Sequence, residues 1–314
     1  MSAEELKLHA EKSRMAFEQP ATKTKSNFPR LAGFFLASIA LALCFGRPLY
    51  SLLHLVGNDD LYSDIPLIPL LSLYLVWMRR ENLPRVFRTA FKPALLFIAA
   101  GVLALAVYWL SSGSLATVNG LALTILALLL FFAGICFLFF GEIFMRAAAF
   151  PLALLIFTVP LPDFLRNGLD TVLQHGSAVC AGFFFGLSSV PVLRDGLTFQ
   201  LPDCVIQVAP ECSGIHSTLV LAITSLVGGW LFLRSAWKRA VLILVVIPLA
   251  FIRNGFRIFV IGRLCVAYGP QMLDSGIHHH GGPLFFVLSL IPLFLLLFFL
   301  KKTEPGCPST KESL

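Results

Sequence analysis

The chain has 314 residues, of which 57% are hydrophobic and 13% charged, and its mean hydropathy is +0.84. Soluble domains carry about a quarter charged residues, so this composition excludes an ordinary soluble protein. The net charge of +7 would suggest an acidic partner in a soluble protein. Here it is explained by Lys and Arg in loops that face the cytoplasm, and no nucleic-acid partner is expected.

The polar and apolar parts of the chain predict three regions. Residues 1–30 are polar and mixed in charge, which predicts a disordered cytoplasmic tail and not a cleavable signal peptide. Residues 31–300 are predicted to form a single transmembrane domain, and residues 301–314 a cytoplasmic C-terminal tail.

Apolar segments predict an all-α bundle of about eight membrane spans. An α-helix needs about 20 residues to cross roughly 30 Å of hydrocarbon. The predicted spans are 31–56, 65–78, 93–111, 117–140, 147–162, 212–233, 240–261 and 283–300. The second begins with Asp64 and contains two prolines, which suggests a broken helix whose entrance faces the outer water.

A further apolar stretch at 170–187 is interrupted by Gln, His, Gly and Ser residues. We interpret it as an interfacial or re-entrant helix and not as a crossing. With eight crossings and a cytoplasmic start, most of the 24 Lys and Arg fall on the cytoplasmic side, in agreement with the positive-inside rule. Arg253, Arg257 and Arg263 fall on the outer side, where a specific reason is needed for them.

Residues 188–211 differ from the rest of the chain because apolar and polar residues alternate around Asp195-Gly196. Asp-Gly provides the positive φ of a tight hairpin turn. Such a backbone needs water or protein around it, so this segment predicts a small extracytoplasmic β-hairpin cap. The cap directly precedes Cys212.

The position of Cys212 points to nucleophilic chemistry. The thiol lies at the outer beginning of an apolar helix, where backbone amides and the helix dipole favour the thiolate. Gly214 would let a substrate backbone approach closely. Alone, the cysteine is equally well a small residue filling a helix start. The other six cysteines show no CxxC spacing and no even disulfide framework, and Cys265 is interpreted as structural.

The following helix brings cationic side chains to the same depth. It rises from Lys238 and reaches Asn254 and Arg257 after roughly 25 Å, at 1.5 Å per residue. Arginine close to hydrocarbon is costly unless it is paired or hydrated, and it is usually functional. Arg253 and Arg257 have i, i+4 spacing, so the sequence alone does not decide which of them enters the site.

His278, His279 and His280 precede the last span on the outer side. Histidine can carry the proton for a thiol nucleophile, whereas arginine can only donate to an oxyanion or a carboxylate. Metal binding is disfavoured because no carboxylate or cysteine accompanies the histidines at ligand spacing, and we expect no metal or cofactor. His216 is a rival base.

The motifs in this order resemble the exosortase/archaeosortase family of membrane-embedded, transpeptidase-like cysteine enzymes, over roughly residues 60–290. The resemblance rests on these segments: SDIPLIPLLSLYLVWMRR, FPLALLIFTVPLP, LQHGSAVCAG, PVLRDGLTFQLP, APECSGI, RNGFRI and the His-Gly stretch before the last helix. It implies a multi-pass protein of a bacterial inner membrane whose active site faces the periplasm. It also implies a Cys-Arg-His site that recognises C-terminal sorting signals of exported proteins, consisting of a short PEP-CTERM-like motif, a hydrophobic helix and a basic tail.

The resemblance assigns catalytic roles to Cys212 of the CSG pattern, Arg257 of the NxxR pattern that Asn254 begins, and His278, four residues before Gly282. The triple histidine leaves the choice among its three members open. The family commonly carries arginine after CSGI, where this chain has His216, so the handling of substrate charge or the support of the thiolate differs.

The leading hypothesis is a cysteine peptidase or transpeptidase that forms a thioacyl intermediate. Membrane lipids and exported proteins are the expected partners. One alternative is a multi-span transporter, which tends to show repeated halves and mid-membrane ionisable residues that are not evident here. Another is a non-catalytic scaffold of envelope polysaccharide or secretion machinery.

Overall fold

A computed structural model describes residues 28–84, 87–111, 117–188, 190–202, 204–209, 213–269 and 282–304. The α-helices of this part of the chain are α1 Phe28–Cys44, α2 Gly46–Asn58, α3 Leu67–Met78, α4 Phe91–Leu110, α5 Val118–Phe139, α6 Gly141–Ala147, α7 Ala149–Leu154, α8 Asp163–Gly186, α9 Ile215–Phe232, α10 Ala236–Leu244, α11 Val246–Tyr268 and α12 Gly282–Lys302. The strands are β1 Leu193–Asp195, β2 Thr198–Gln200 and β3 Val205–Gln207. The described residues therefore form a helical bundle with a small three-stranded sheet.

The predicted fold class, a polytopic helical membrane bundle, is confirmed. Within the described ranges, six helices are long and apolar enough to cross a membrane, or up to eight if each of two bent pairs is one span. The bent pairs are α1–α2, with an angle of 69°, and α6–α7 with its short extension, with an angle of 73°. The first pair matches the predicted span 31–56, whereas the second covers 141–158 and begins six residues before the predicted span 147–162. The prolines of the second span do not break it, because Pro66 caps α3 and Pro69 lies in its first turn, where proline is tolerated.

Residues 170–187, interpreted as an interfacial or re-entrant helix and not as a crossing, lie in α8, one uninterrupted helix of 24 residues that is not among the described helices long and apolar enough to cross a membrane. Its polar and glycine positions face α11 at close range. A Cβ on Gly255 would lie 2.5 Å from Cys180 Cβ, and one on Gly262 would lie 2.5 Å from the Phe185 ring. The contacts follow the same order along both helices, from Cys180 and Gly255 to Phe185 and Gly262. The two helices therefore run parallel. Small residues, and not a break, explain this part of the sequence.

We expect Gly255→Ala to destabilise the protein by about 1–3 kcal/mol, since the added methyl meets the backbone of Ser177 and Ala181 at 2.9 Å and backbone atoms cannot move aside. Thermal unfolding of the protein in detergent measures the effect. Gly168→Ala, on the exposed side of α8 with no atom within 4 Å, is the matched control and should be neutral or slightly stabilising. Equal stability of the two variants would contradict the close contact.

The predicted hairpin is present and is extended by a third strand. β1 pairs antiparallel with β2 around Gly196, and β2 pairs antiparallel with β3. Phe199 of β2 is fully buried and contacts Phe185 of α8, so the sheet packs on the bundle through its apolar face. The extracytoplasmic position of this cap remains a prediction.

A disulfide between Cys204 and Cys265 fastens the sheet to α11, with a Cα–Cα distance of 6.6 Å. The cysteine spacing predicted no disulfide framework, and that prediction is wrong for Cys204 and Cys265. Both cysteines are buried in one hydrophobic cluster with Phe185 and Phe199. Disulfides persist in oxidising compartments, which matches a cap outside the cytoplasm.

Reduction is expected to expose two more thiols in the wild-type protein, detected as a gel shift after labelling with a polymer-linked maleimide. Cys265→Ser should free Cys204 for labelling without reduction and lower the free energy of unfolding by about 2–4 kcal/mol. Cys44→Ser, which removes an exposed free thiol, is the control for the labelling. An unchanged gel shift after reduction would contradict the bond.

At the other end of the bundle, polar contacts join the C-terminal part of α12 to α10. Lys238 is buried and donates to the carbonyl of Leu300 and the hydroxyl of Thr303, and Glu304 accepts from the backbone amides before α10. Helices α10 and α11 together form one span of 33 residues, about 50 Å long. We call α10 and α11 together the α10–α11 rod. It connects the end of the bundle that holds Lys238, the basic end, with the end that carries the sheet.

Candidate active site

The backbone at the start of α9 is held by two neighbouring helices. Ser213 donates through its hydroxyl to Asp170 of α8 at 2.6 Å, and its carbonyl accepts from Asn254 of α11 at 3.2 Å. Asn254 also donates to Ser177 at 3.1 Å. Ser213 and Asn254 are 1% and 2% exposed, so these hydrogen bonds are made away from water, where leaving one unmade is costly. The chain directly after residue 212 is therefore fixed.

Gly214 caps α9 in the left-handed conformation, with φ +73°. Its carbonyl accepts from Arg253 Nη2 at 3.1 Å, and the same nitrogen donates to Thr218 at 3.2 Å. A Cβ on Gly214 would lie 2.8 Å from that nitrogen. Positive φ and the close guanidinium thus both favour glycine at this position.

Arg253 is buried, and among the described residues it forms no ion pair with a carboxylate. A buried charge is costly unless hydrogen bonds or a counterion compensate it, so the two contacts of Arg253 are needed to keep it in place. The side chain holds the start of α9 against α11. The sequence did not decide whether Arg253 or Arg257 enters the site. In the structure, Arg253 is the one enclosed by protein.

Arg257, one helical turn further along α11, lines an open cavity of about 1070 Å³. The cavity wall is formed by α9, by the N-terminal half of α8 and by the turn before α3. Its charged and titratable lining residues are Asp59, Asp60, Asp64, Asp163, Asp170, Arg166, Arg257 and His216. Such a volume is at the upper end of ordinary ligand pockets. It is large enough for a peptide segment.

Two contacts between a basic and an acidic side chain join distant parts of the chain at the cavity wall. His216 of α9 contacts Asp64 through Nε2 and Oδ2 at 2.6 Å, and Arg166 of α8 contacts Asp59 at 3.1 Å. Burial lowers the pKa of Arg166, but the charge and hydrogen bond of Asp59, together with Tyr62 and Asp170, outweigh it, so the pKa lies above its ordinary value and the guanidinium stays charged. These pairs join α8 and α9 to the segment before α3, in the cavity that Arg257 also lines.

The structure brings together five of the residues that the sequence singled out: Gly214, His216, Arg253, Asn254 and Arg257. Cys212 and the histidines 278 to 280 lie outside the described residues. Arg263 is exposed, six residues beyond Arg257. The catalytic assignment of Cys212, Arg257 and His278 remains a prediction.

Sequence reasoning missed the carboxylates of the site, above all Asp64 and Asp170. Asp170 is 8% exposed and is adjacent to the apolar stretch of α8. A carboxylate beside a membrane-associated helix is itself a signal of function, because ionisable groups in such places are expensive. Its partner Ser213 is 43 positions away along the chain, so the pairing itself had no local signal.

Fold and site together define a polytopic membrane protein with a polar, arginine-containing cavity at the start of an apolar helix. The family model for transmembrane exosortases matches residues 56–295, which is more than half of the chain, and the chain belongs to this family. The resemblance found in the motifs is thereby confirmed. No curated protein and no solved structure gave a significant match.

Proposed function

We propose that the chain is a cysteine peptidase or transpeptidase that cleaves C-terminal sorting signals of exported proteins through a thioacyl intermediate on Cys212. The observation that carries the proposal is the start of α9, where Ser213 and Gly214 are held beside a cavity lined by Arg257. Successive Cα atoms are about 3.8 Å apart, so the thiol that precedes Ser213 belongs to this region of the chain.

The first half-reaction joins the substrate to the enzyme. The Cys212 thiolate attacks the carbonyl carbon of the scissile peptide bond, and the new oxyanion accepts hydrogen bonds from Arg257. The C–N bond then breaks, and the leaving amine takes a proton from His278. The products are a thioester on Cys212 and the released hydrophobic tail.

The reach of the chain is compatible with a role for His278. Phe286 of α12 lines the cavity, and α12 begins at Gly282, four residues after His278. Four residues of extended chain span at most roughly 14 Å.

An outer location of the site is supported by the two ends of the α10–α11 rod. Lys238 lies at its basic end, and Arg257 lies roughly 28 Å further along at 1.5 Å per residue. This separation is close to the roughly 30 Å thickness of the hydrocarbon layer. Cys265, whose disulfide is typical of an oxidising compartment, lies beyond Arg257 in the same direction.

The proposal predicts that membranes containing this chain shorten a tagged exported protein that ends in a short motif, an apolar helix and a basic tail. The measurement is the size of the protein on a gel and the mass of its new C-terminus. Membranes without the chain should leave the protein intact, as should a substrate that lacks the motif. Failure to shorten any such substrate would contradict the proposed function.

A further inference from the structure

The pair formed by His216 and Asp64 has no role in the reaction as described so far. The two residues are 152 positions apart in sequence, yet their side chains meet at 2.6 Å and line the same cavity as Arg257. The side chains are 40% and 43% exposed, so water and solutes in the cavity reach them. An exposed ion pair contributes little to stability, which makes a purely structural purpose a poor explanation of this contact.

The contact determines which nitrogen of His216 is available. An ionised carboxylate only accepts hydrogen bonds, so Nε2, which contacts Asp64, carries the hydrogen. Nδ1 of the neutral ring then has a lone pair and forms no hydrogen bond within the part of the chain that the structure describes. Carboxylates orient catalytic histidines in this way and stabilise the imidazolium that forms when the ring takes a proton.

We infer that His216, oriented by Asp64, is the base that activates the acceptor nucleophile in the second half-reaction. The inference rests on the proposed function, in which a thioester on Cys212 awaits attack by an acceptor with an amine or hydroxyl group. In the proposed first half-reaction the nucleophile is the Cys212 thiolate and the acid is His278, so that step uses no further base. The acceptor, in contrast, enters the cavity with its proton, and His216 is on the cavity wall.

The second half-reaction transfers the acyl group from Cys212 to the acceptor. The acceptor's lone pair forms a bond to the thioester carbonyl carbon while its N–H or O–H proton passes to Nδ1 of His216. The tetrahedral intermediate collapses, the C–S bond breaks, and the electron pair leaves with the Cys212 sulfur as thiolate. The imidazolium of His216 then returns its proton to water, and His278, which gave a proton to the leaving amine in the first half-reaction, takes one from water. Asp64 keeps its charge throughout and acts as a positioning residue.

The test separates the two half-reactions in full-length protein in membranes supplied with a tagged substrate. In His216→Gln, the tail is expected to be released in the first turnover at the wild-type rate. The covalent acyl-enzyme should accumulate, and release of the product should fall on the order of 100- to 1000-fold. Asp64→Asn should give the same pattern with a smaller loss. Added hydroxylamine, which is uncharged at neutral pH and needs no base to attack a thioester, should restore release in both variants.

His175→Gln, which removes an exposed histidine of α8 outside the cavity, is the matched control and should behave as wild type. Normal product release by His216→Gln would overturn the inference. Loss of tail release without an acyl-enzyme would overturn it too, because His216 would then act in the first step or only in the fold. Failure of the proposed function looks different, since Cys212→Ala would then still process the substrate.

Discussion

Cys212→Ala is expected to abolish substrate processing completely. Alanine has no thiol and cannot form the thioester. Co-expression of the variant with a tagged substrate measures the outcome as the ratio of shortened to full-length substrate. Loss of a nucleophile leaves at most the small acceleration that binding and oxyanion contacts provide.

Cys44→Ala is the control for this experiment, because Cys44 is a free, exposed cysteine distant from the cavity. The control should process the substrate at the wild-type rate. Protein levels of the two variants in membranes should be equal, which separates a loss of chemistry from a loss of folding. Full processing by Cys212→Ala would remove the thioacyl mechanism.

Arg257→Gln is expected to lower processing on the order of 100- to 1000-fold, since removal of one oxyanion donor typically has this effect. Glutamine keeps an NH₂ group but is shorter and uncharged. Arg257→Lys should recover only part of the activity, because an ammonium group does not reproduce the planar fork of donors. The rate of substrate shortening at equal enzyme levels measures both variants.

Arg263→Gln is the matched control for Arg257→Gln, because Arg263 is an exposed arginine on the same helix. It should keep wild-type activity. Arg253→Gln should lose stability as well as activity, since Arg253 is buried and supports the carbonyl of Gly214. A different outcome would exchange the roles of the two arginines. In that outcome Arg257→Gln processes the substrate as wild type does, whereas Arg253→Gln loses processing but keeps normal stability.

The helical part of the fold could be predicted because the bilayer fixes the length of an apolar span. The hydrophobic segments therefore identify almost every long helix, and the Asp195-Gly196 pair identifies the turn between β1 and β2. Residues 170–187 were expected to be helical but not to cross the membrane, and the polar residues of this stretch do not interrupt α8. In the structure Ser177 hydrogen-bonds Asn254, and Gly176 faces the ring of Phe251, so these residues are packing positions in an intact helix.

Contacts between distant segments could not be predicted. Seven cysteines allow many pairings, and nothing local marks Cys204 and Cys265, which are 61 residues apart. In contrast, the level of Arg257 beside the start of α9 could be predicted from the helix rise alone. The rise of 1.5 Å per residue does not depend on the helices that pack around it. The pairing of His216 with Asp64 needed the fold, because it joins the second predicted span to the sixth.

The length of the α10–α11 rod has a consequence for substrate choice under the proposed function. Lys238 and Arg257 are on one continuous span, so the distance between the basic end of the bundle and the cavity is constant. We expect the apolar helix of a substrate to lie beside this rod, with its cationic tail at the basic end. The constant length of the rod then determines how long the substrate helix has to be. Only an apolar helix of matching length brings its scissile bond level with Arg257, and one turn more or less displaces the bond by about 5.4 Å.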